Sequence, residues 1–271
     1  MKKICLYVIC GVVFATTFVG CAGFNNLLQS GKADLIYAKA MEYYGKEKWS
    51  KASTLFEGAQ HYYDGTTRED SISFFLARCK FKGRDYEVAS ELFDEFRRKF
   101  GRSAFIEDAE GMYALCFYYL SPGSTRDQTM TRRSIIAIND FMSRYPDSKR
   151  NESFQKINGE LSERLHDKAY INAYTYYKIG KYKSAIVALK NAQKTYPESS
   201  HREQIMYLIV DAGYRFAHNS VAAKQADRYM SMLDSYYSFV SEFPESEHIK
   251  ELDRLAQEAK DFLAKNNKEN I

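Results

Sequence analysis

The sequence predicts an all-α protein built from repeated helical hairpins. Three observations carry the prediction. The 271 residues include only 14 glycines and 4 prolines. That is about 7% of the chain, where ~12% is usual, and it leaves too little turn chemistry for a β-sandwich or a many-turned α/β enzyme. Three of the four prolines stand in near-copies of one phrase, Tyr145-Pro146-Asp147-Ser148, Tyr196-Pro197-Glu198-Ser199 and Phe243-Pro244-Glu245-Ser246, and Phe100-Gly101-Arg102-Ser103 is a glycine variant. Proline stops a helix, and a serine two residues later is suited to cap the next. Finally, Trp49, Tyr86 and Tyr182 each stand three residues before an alanine (Ala52, Ala89, Ala185), and Phe56, Phe93 and Leu189 follow four residues after it. Repeated helix ends with repeated helix faces mean stacked hairpins sharing one core.

At the N-terminus, Lys2 and Lys3 precede an uncharged, mostly apolar stretch from Ile4 to Val19. It is short for a membrane span and reads as an export signal over residues 1–20. Phe18-Val19-Gly20-Cys21 resembles a bacterial lipobox, with Phe18 where leucine is usual. The resemblance implies that Cys21 is lipidated and becomes the mature N-terminus. Several acyl chains would anchor it stably. Residues 21–32 are then expected to be a lipidated tether.

The hairpins follow in order. Residues 33–146 are expected to hold hairpins one to three. Their first helices carry small and aromatic residues together: Ala40, Tyr43 and Tyr44, then Ala77 and Phe81. The third aligns with the second at an offset of 37 residues, Ala77 to Phe81 against Ala114 to Tyr118. Ser121 to Gln128 makes a longer inter-helix loop before a helix from Thr129 to Tyr145. Residues 147–266 are expected to hold hairpins four and five and a cap. Asn151 to Ile179 has no stop signal and reads as one long helix, with Ala173, Tyr176 and Tyr177 repeating the small-aromatic pattern. Gly180 marks the turn to the second helix, and Gly83 marks the corresponding turn one residue early. The fifth hairpin is expected near 202–217 and 222–243. The last helix, from Glu247 to about Lys265, carries an apolar stripe of Ile249, Leu252, Leu255, Ala256, Ala259, Phe262 and Leu263. One apolar face and one wet face suit a terminal cap. Residues 267–271 are expected to fray.

The sequence offers no catalytic machinery. It contains no metalloprotease, zinc-ribbon, phosphate-loop or nucleophile-elbow motif. No metal or cofactor is implied, and the chain reads as a binding module, not an enzyme. His61, His166, His201, His218 and His248 are scattered and read as surface or capping residues. Cys79 and Cys116 occupy corresponding places in successive helices and read as buried thiols. The formal charge of +4 without a basic run argues against a nucleic-acid partner.

The alanine-aromatic spacing resembles the tetratricopeptide repeat, and the expected architecture is a tetratricopeptide superhelix of about five hairpins plus a C-terminal capping helix. With Cys21, the aromatic-proline-acid-serine endings, the long loop in the third hairpin and the capped end, the chain resembles the BamD family of outer-membrane protein assembly lipoproteins. The tyrosine content and Phe18 suit a Bacteroidetes-like lineage. The resemblance implies a non-catalytic scaffold, lipid-anchored on the periplasmic face of the outer membrane. Its implied partners are a BamA-type barrel subunit, other members of the assembly complex, and the C-terminal strands of unfolded outer-membrane proteins. Projecting the repeat onto the first two hairpins places Tyr37, Met41, Tyr44, Phe74, Arg78, Phe81 and Lys82 along a candidate peptide groove. Rings mixed with cations suit an extended aromatic peptide with a terminal carboxylate. The later hairpins are expected to offer more ordinary polar faces and to dock the barrel subunit. Two other readings share the fold: a scaffold for peptidoglycan or division enzymes, and a glycan-binding nutrient-uptake lipoprotein.

Overall fold

The computed structural model describes residues 24–269, with side chains to Asn266. The export signal and Cys21 lie outside the described residues. All regular structure in the described chain is helical. Helix α1 spans 24–29. It is followed by α2 (Ala33–Gly45), α3 (Trp49–Gln60), α4 (Glu69–Lys82), α5 (Tyr86–Lys99), α6 (Ile106–Leu120) and α7 (Thr129–Arg144). Then come α8 (Asn151–Lys178), α9 (Tyr182–Thr195), α10 (Arg202–His218), α11 (Ala222–Glu242) and α12 (Ile249–Glu269). Five hairpins, α2/α3 to α10/α11, and a last helix match the expected count.

The hairpins close on the expected small residues. Ala52, Ala89 and Ala185 are buried, as are Ala40, Ala77 and Ala173 on the facing helices. Phe56, Phe93 and Leu189 fill the space beside them. Cys79 and Cys116 are free and buried, and burial pushes both thiols up to about 12.

Three of the five hairpins, α2/α3, α4/α5 and α8/α9, turn by the same backbone device. Glu47, Arg84 and Gly180 take the left-handed conformation, with φ of 56°, 65° and 71°. The amide that follows each (Lys48, Asp85, Lys181) donates to a carbonyl five residues back. This satisfies carbonyls left open at the helix end. Gly83 therefore does not hold the special position; Arg84 does. The same turns are locked by rings five residues apart, Tyr44 on Trp49, Phe81 on Tyr86 and Tyr177 on Tyr182. Their centroids are 5.2, 5.4 and 5.9 Å apart, at 74°, 72° and 66°. The aromatic three residues before each alanine is thus half of an edge-to-face clamp.

The junctions between hairpins repeat as well. The hydroxyls of Ser103, Ser148, Ser199 and Ser246 accept a bond from the amide two residues on, at 3.2–3.3 Å. Their own amides donate to the carbonyl of the aromatic three residues earlier. The serines close a turn ahead of the helix; they do not cap its first amides as expected. Tyr63-Asp64-Gly65-Thr66 makes the same turn, with Arg68 bonded to the Thr66 hydroxyl at 3.3 Å. This fifth junction, with threonine for serine, was missed in the sequence.

The chain forms two compact units. The first runs through Ser121 and resumes at Arg132–Phe154; the second comprises Pro122–Thr131 and Gln155 onward. The expected boundary at 146 shifts to Phe154 because its ring packs on Phe141 at 4.9 Å, drawing the first turn of α8 into the first unit. The loop after α6 belongs to the second unit, where Lys168 donates to the Thr125 carbonyl at 2.9 Å. Residues 24–29, expected within the tether, are helical because Phe24, Leu27 and Leu28 share one face and pack on the first core around Ile36. Gly58 makes room for them: a Cβ there would lie 2.5 Å from Leu28. In the second unit, α12 buries Leu252, Leu255, Ala256 and Ala259 against α10 and α11, and it continues to Glu269, past the expected end.

Candidate functional site

Five of the seven candidate groove residues, Tyr37, Met41, Tyr44, Phe74 and Phe81, are held by the repeat itself or packed against it. Tyr37 and Phe74 occupy equivalent positions on α2 and α4. At each such position, the residue two after the junction hydroxyl covers the ring of the preceding hairpin. The Arg68 guanidinium lies 6.0 Å from the Tyr37 ring, and Phe105 stacks on Phe74 at 4.6 Å. In the second unit His201 stacks on Tyr170 at 4.4 Å and His248 on Tyr207 at 4.0 Å. Gly111 is the exception that shows the rule. Its equivalent position has no ring, and a Cβ there would lie 3.1 Å from the Arg150 side chain that fills the space.

Phe74 is consequently 1% exposed and touches Phe93 and Phe96. It is a core ring and cannot serve as a groove ring. Tyr37 keeps partial exposure, and its hydroxyl pairs with Ser71 at 3.2 Å. Tyr44 and Phe81 are clamp rings, both half-buried. Burial raises the Tyr44 phenol above its ordinary pKa. Met41 packs against the first core.

The two cations stand apart from this packing role. Arg78 projects its guanidinium 5.8 Å from both the Tyr44 and the Phe74 rings. Its Nε is buried and bonded to nothing, and no carboxylate pairs with it among the described residues. Lys82 is exposed and lies one helical turn further along α4. Phe81 belongs to a separate cluster, edge-on to Tyr86 and to Tyr119 at 5.8 Å. Tyr86 and Tyr119 stack at 4.7 Å, and Tyr119 is half exposed. The structure therefore brings together Tyr44 and Arg78 over Phe74, and separately Phe81 with Tyr86 and Tyr119. The second cluster was not anticipated, because the alignment of the second and third hairpins ended at Tyr118 and Tyr119 lies one residue beyond it.

The histidines are also less ordinary than expected. His166 is buried, with Glu163 at 3.3 Å, Glu198 at 3.5 Å and the Tyr196 ring beside it. His201 reaches Asp167 at 2.6 Å. The second unit presents a channel between α9 and α11, apolar at Ile186, Val187 and Phe216 and mainly polar toward Gln193, Asp234 and Ser238. Val187, half exposed at the channel, was its signal in the sequence.

Residues 29–167 and 162–234 match the family described as YfiO, outer membrane lipoprotein. Two curated relatives are each named outer membrane protein assembly factor BamD. The one from Caulobacter vibrioides is 22% identical over 210 residues, covering 75% of this chain and 68% of its own. The one from Helicobacter pylori is 24% identical over 127 residues, covering 44% of this chain and 58% of its own. A solved complex of the TPR2AB domain of yeast Sti1 with pHSP90 aligns with a TM-score of 0.40 at 14% identity, over 85% of this chain and 99% of that one.

Proposed function

Because the chain belongs to the YfiO outer membrane lipoprotein family, we propose that it is a non-catalytic scaffold of outer-membrane β-barrel assembly. In this reading Cys21 carries the lipid, and the body faces the periplasm. The protein receives the C-terminal strands of unfolded barrel proteins and docks a BamA-type barrel subunit. The family match over most of the chain, with two relatives named as assembly factors, supports the role.

For strand recognition the observation that matters most is Arg78. A guanidinium held near two rings, with a buried Nε lacking a partner, is an incomplete arrangement. A carboxylate completes it through a charge-assisted, bidentate pair. Aromatic side chains of the same peptide then find partly exposed ring surface at Tyr44 and at the Phe81–Tyr86–Tyr119 cluster. Ordering a flexible peptide offsets much of the gain, so binding is micromolar in scale, roughly 8 kcal/mol.

Fluorescence anisotropy with an aromatic-ended strand peptide tests this, using the free acid and the C-terminal amide. The wild type should prefer the acid, and Arg78→Met should abolish the preference. Equal binding of acid and amide to the wild type would remove Arg78 as the recognition residue.

A further inference from the structure

We propose that the channel between α9 and α11 is a docking site for an acidic amphipathic helix of a partner protein. Two adjoining cavities of about 300 and 170 Å³ share Lys190, Ile209, Ser231 and Ser235 and form one channel. Its floor is α10, at Ile209 and Gly213. A Cβ on residue 213 would meet Met232 at 3.2 Å, so the glycine lets α11 lie close on α10 at the base of the channel. One wall is α9, through Lys183, Ile186, Val187 and Lys190, spaced as one helix face. The other is α11, where Ser231, Ser235 and Ser238 leave space for a close approach. Val187 stands 56% exposed at the lip.

Charge decides the kind of partner. Helix α9 carries Lys183, Lys190 and Lys194 and no acidic residue. None of the three pairs with a carboxylate among the described residues. Across the channel Arg228 lies 3.9 Å over the Phe216 ring and bonds Ser220, while Asp234 brings one negative charge. The balance is positive, and an acidic partner complements it.

Backbone chemistry decides the shape. An extended strand buried here would need partners for its amides and carbonyls. Both walls are helices whose backbone bonds are internal. The hydroxyls of Ser231, Ser235 and Ser238 are already donated to carbonyls four residues back, at 3.1, 3.1 and 2.9 Å. A helix satisfies its own backbone and needs only an apolar stripe with acidic flanks. The inference stands independently of strand recognition at Arg78.

The test uses the full mature protein and three synthetic probes read by fluorescence anisotropy. One is a four-turn peptide with a leucine stripe flanked by glutamate. The second replaces glutamate with lysine, and the third carries two central prolines that forbid a helix. The acidic helix should bind, more weakly as salt rises, and the other two should not. Val187→Asp and the pair Lys183→Glu with Lys190→Glu, all at exposed positions where folding tolerates the change, should each weaken binding at least roughly tenfold. Arg78→Met should leave it unchanged. No binding of the acidic helix at millimolar concentration, or equal binding of the proline probe, would overturn the proposal. Full affinity in the folded Val187→Asp protein would do the same.

Discussion

Glu47, Arg84 and Gly180 share one backbone position, and only one of them is glycine. The left-handed conformation costs a side chain about 1 kcal/mol. Gly180→Ala should therefore lower stability by roughly that amount in urea melts. Arg84→Gly should not lower it, although glycine loosens the unfolded chain, because the two effects oppose each other. A marked loss in Arg84→Gly would mean that the Arg84 side chain, not its backbone, holds that turn. Ala185 tests packing in the same way. It is fully buried between α8 and α9, and Ala185→Leu should cost about 1–3 kcal/mol. An unchanged melting temperature would place the helix contact elsewhere.

Helix α4 shows how much of an element's role can be read from sequence. Its small residues were legible because burial at a helix contact admits only certain volumes. Its rings were not, because Phe74 and Phe81 look alike in a pattern of spacing. What separates them is a neighbour distant in sequence: Phe105 covers the first, and Tyr119 flanks the second. Phe74→Ala should accordingly act as a core deletion, costing about 3–5 kcal/mol, and cannot report on peptide binding. The start of α4 carries a pH dependence. Glu69 accepts bonds from Lys99 and from the Gly65 amide at 2.9 Å, and these, led by Lys99, lower its pKa below 4.5. In acid the unfolded chain binds a proton that the folded chain resists. Stability from this group is present at neutral pH and lost as pH falls through the lowered value. Glu69→Gln should be less stable at neutral pH and show a shallower loss below about pH 4.5. Parallel acid limbs for the two proteins would exclude the contribution.

At the scale of the whole molecule, the hairpin count, long α8 and the capping helix were legible because proline, glycine and serine mark helix ends chemically. The division at Phe154 and the channel in the second unit were not, because both depend on which faces meet across hairpins. No described helix is long and apolar enough to cross a membrane. Cys21→Ala should move the protein from the detergent-soluble membrane fraction to the soluble one, and retention in membranes would refute lipid attachment as the anchor. The role in barrel assembly is tested most directly by purifying the tagged, wild-type protein from crosslinked, detergent-solubilised membranes and identifying what comes with it by mass spectrometry. A barrel-assembly subunit of the BamA type is the expected dominant partner. Recovery of cell-wall enzymes or of a nutrient transporter in its place, with no barrel subunit, would contradict that role.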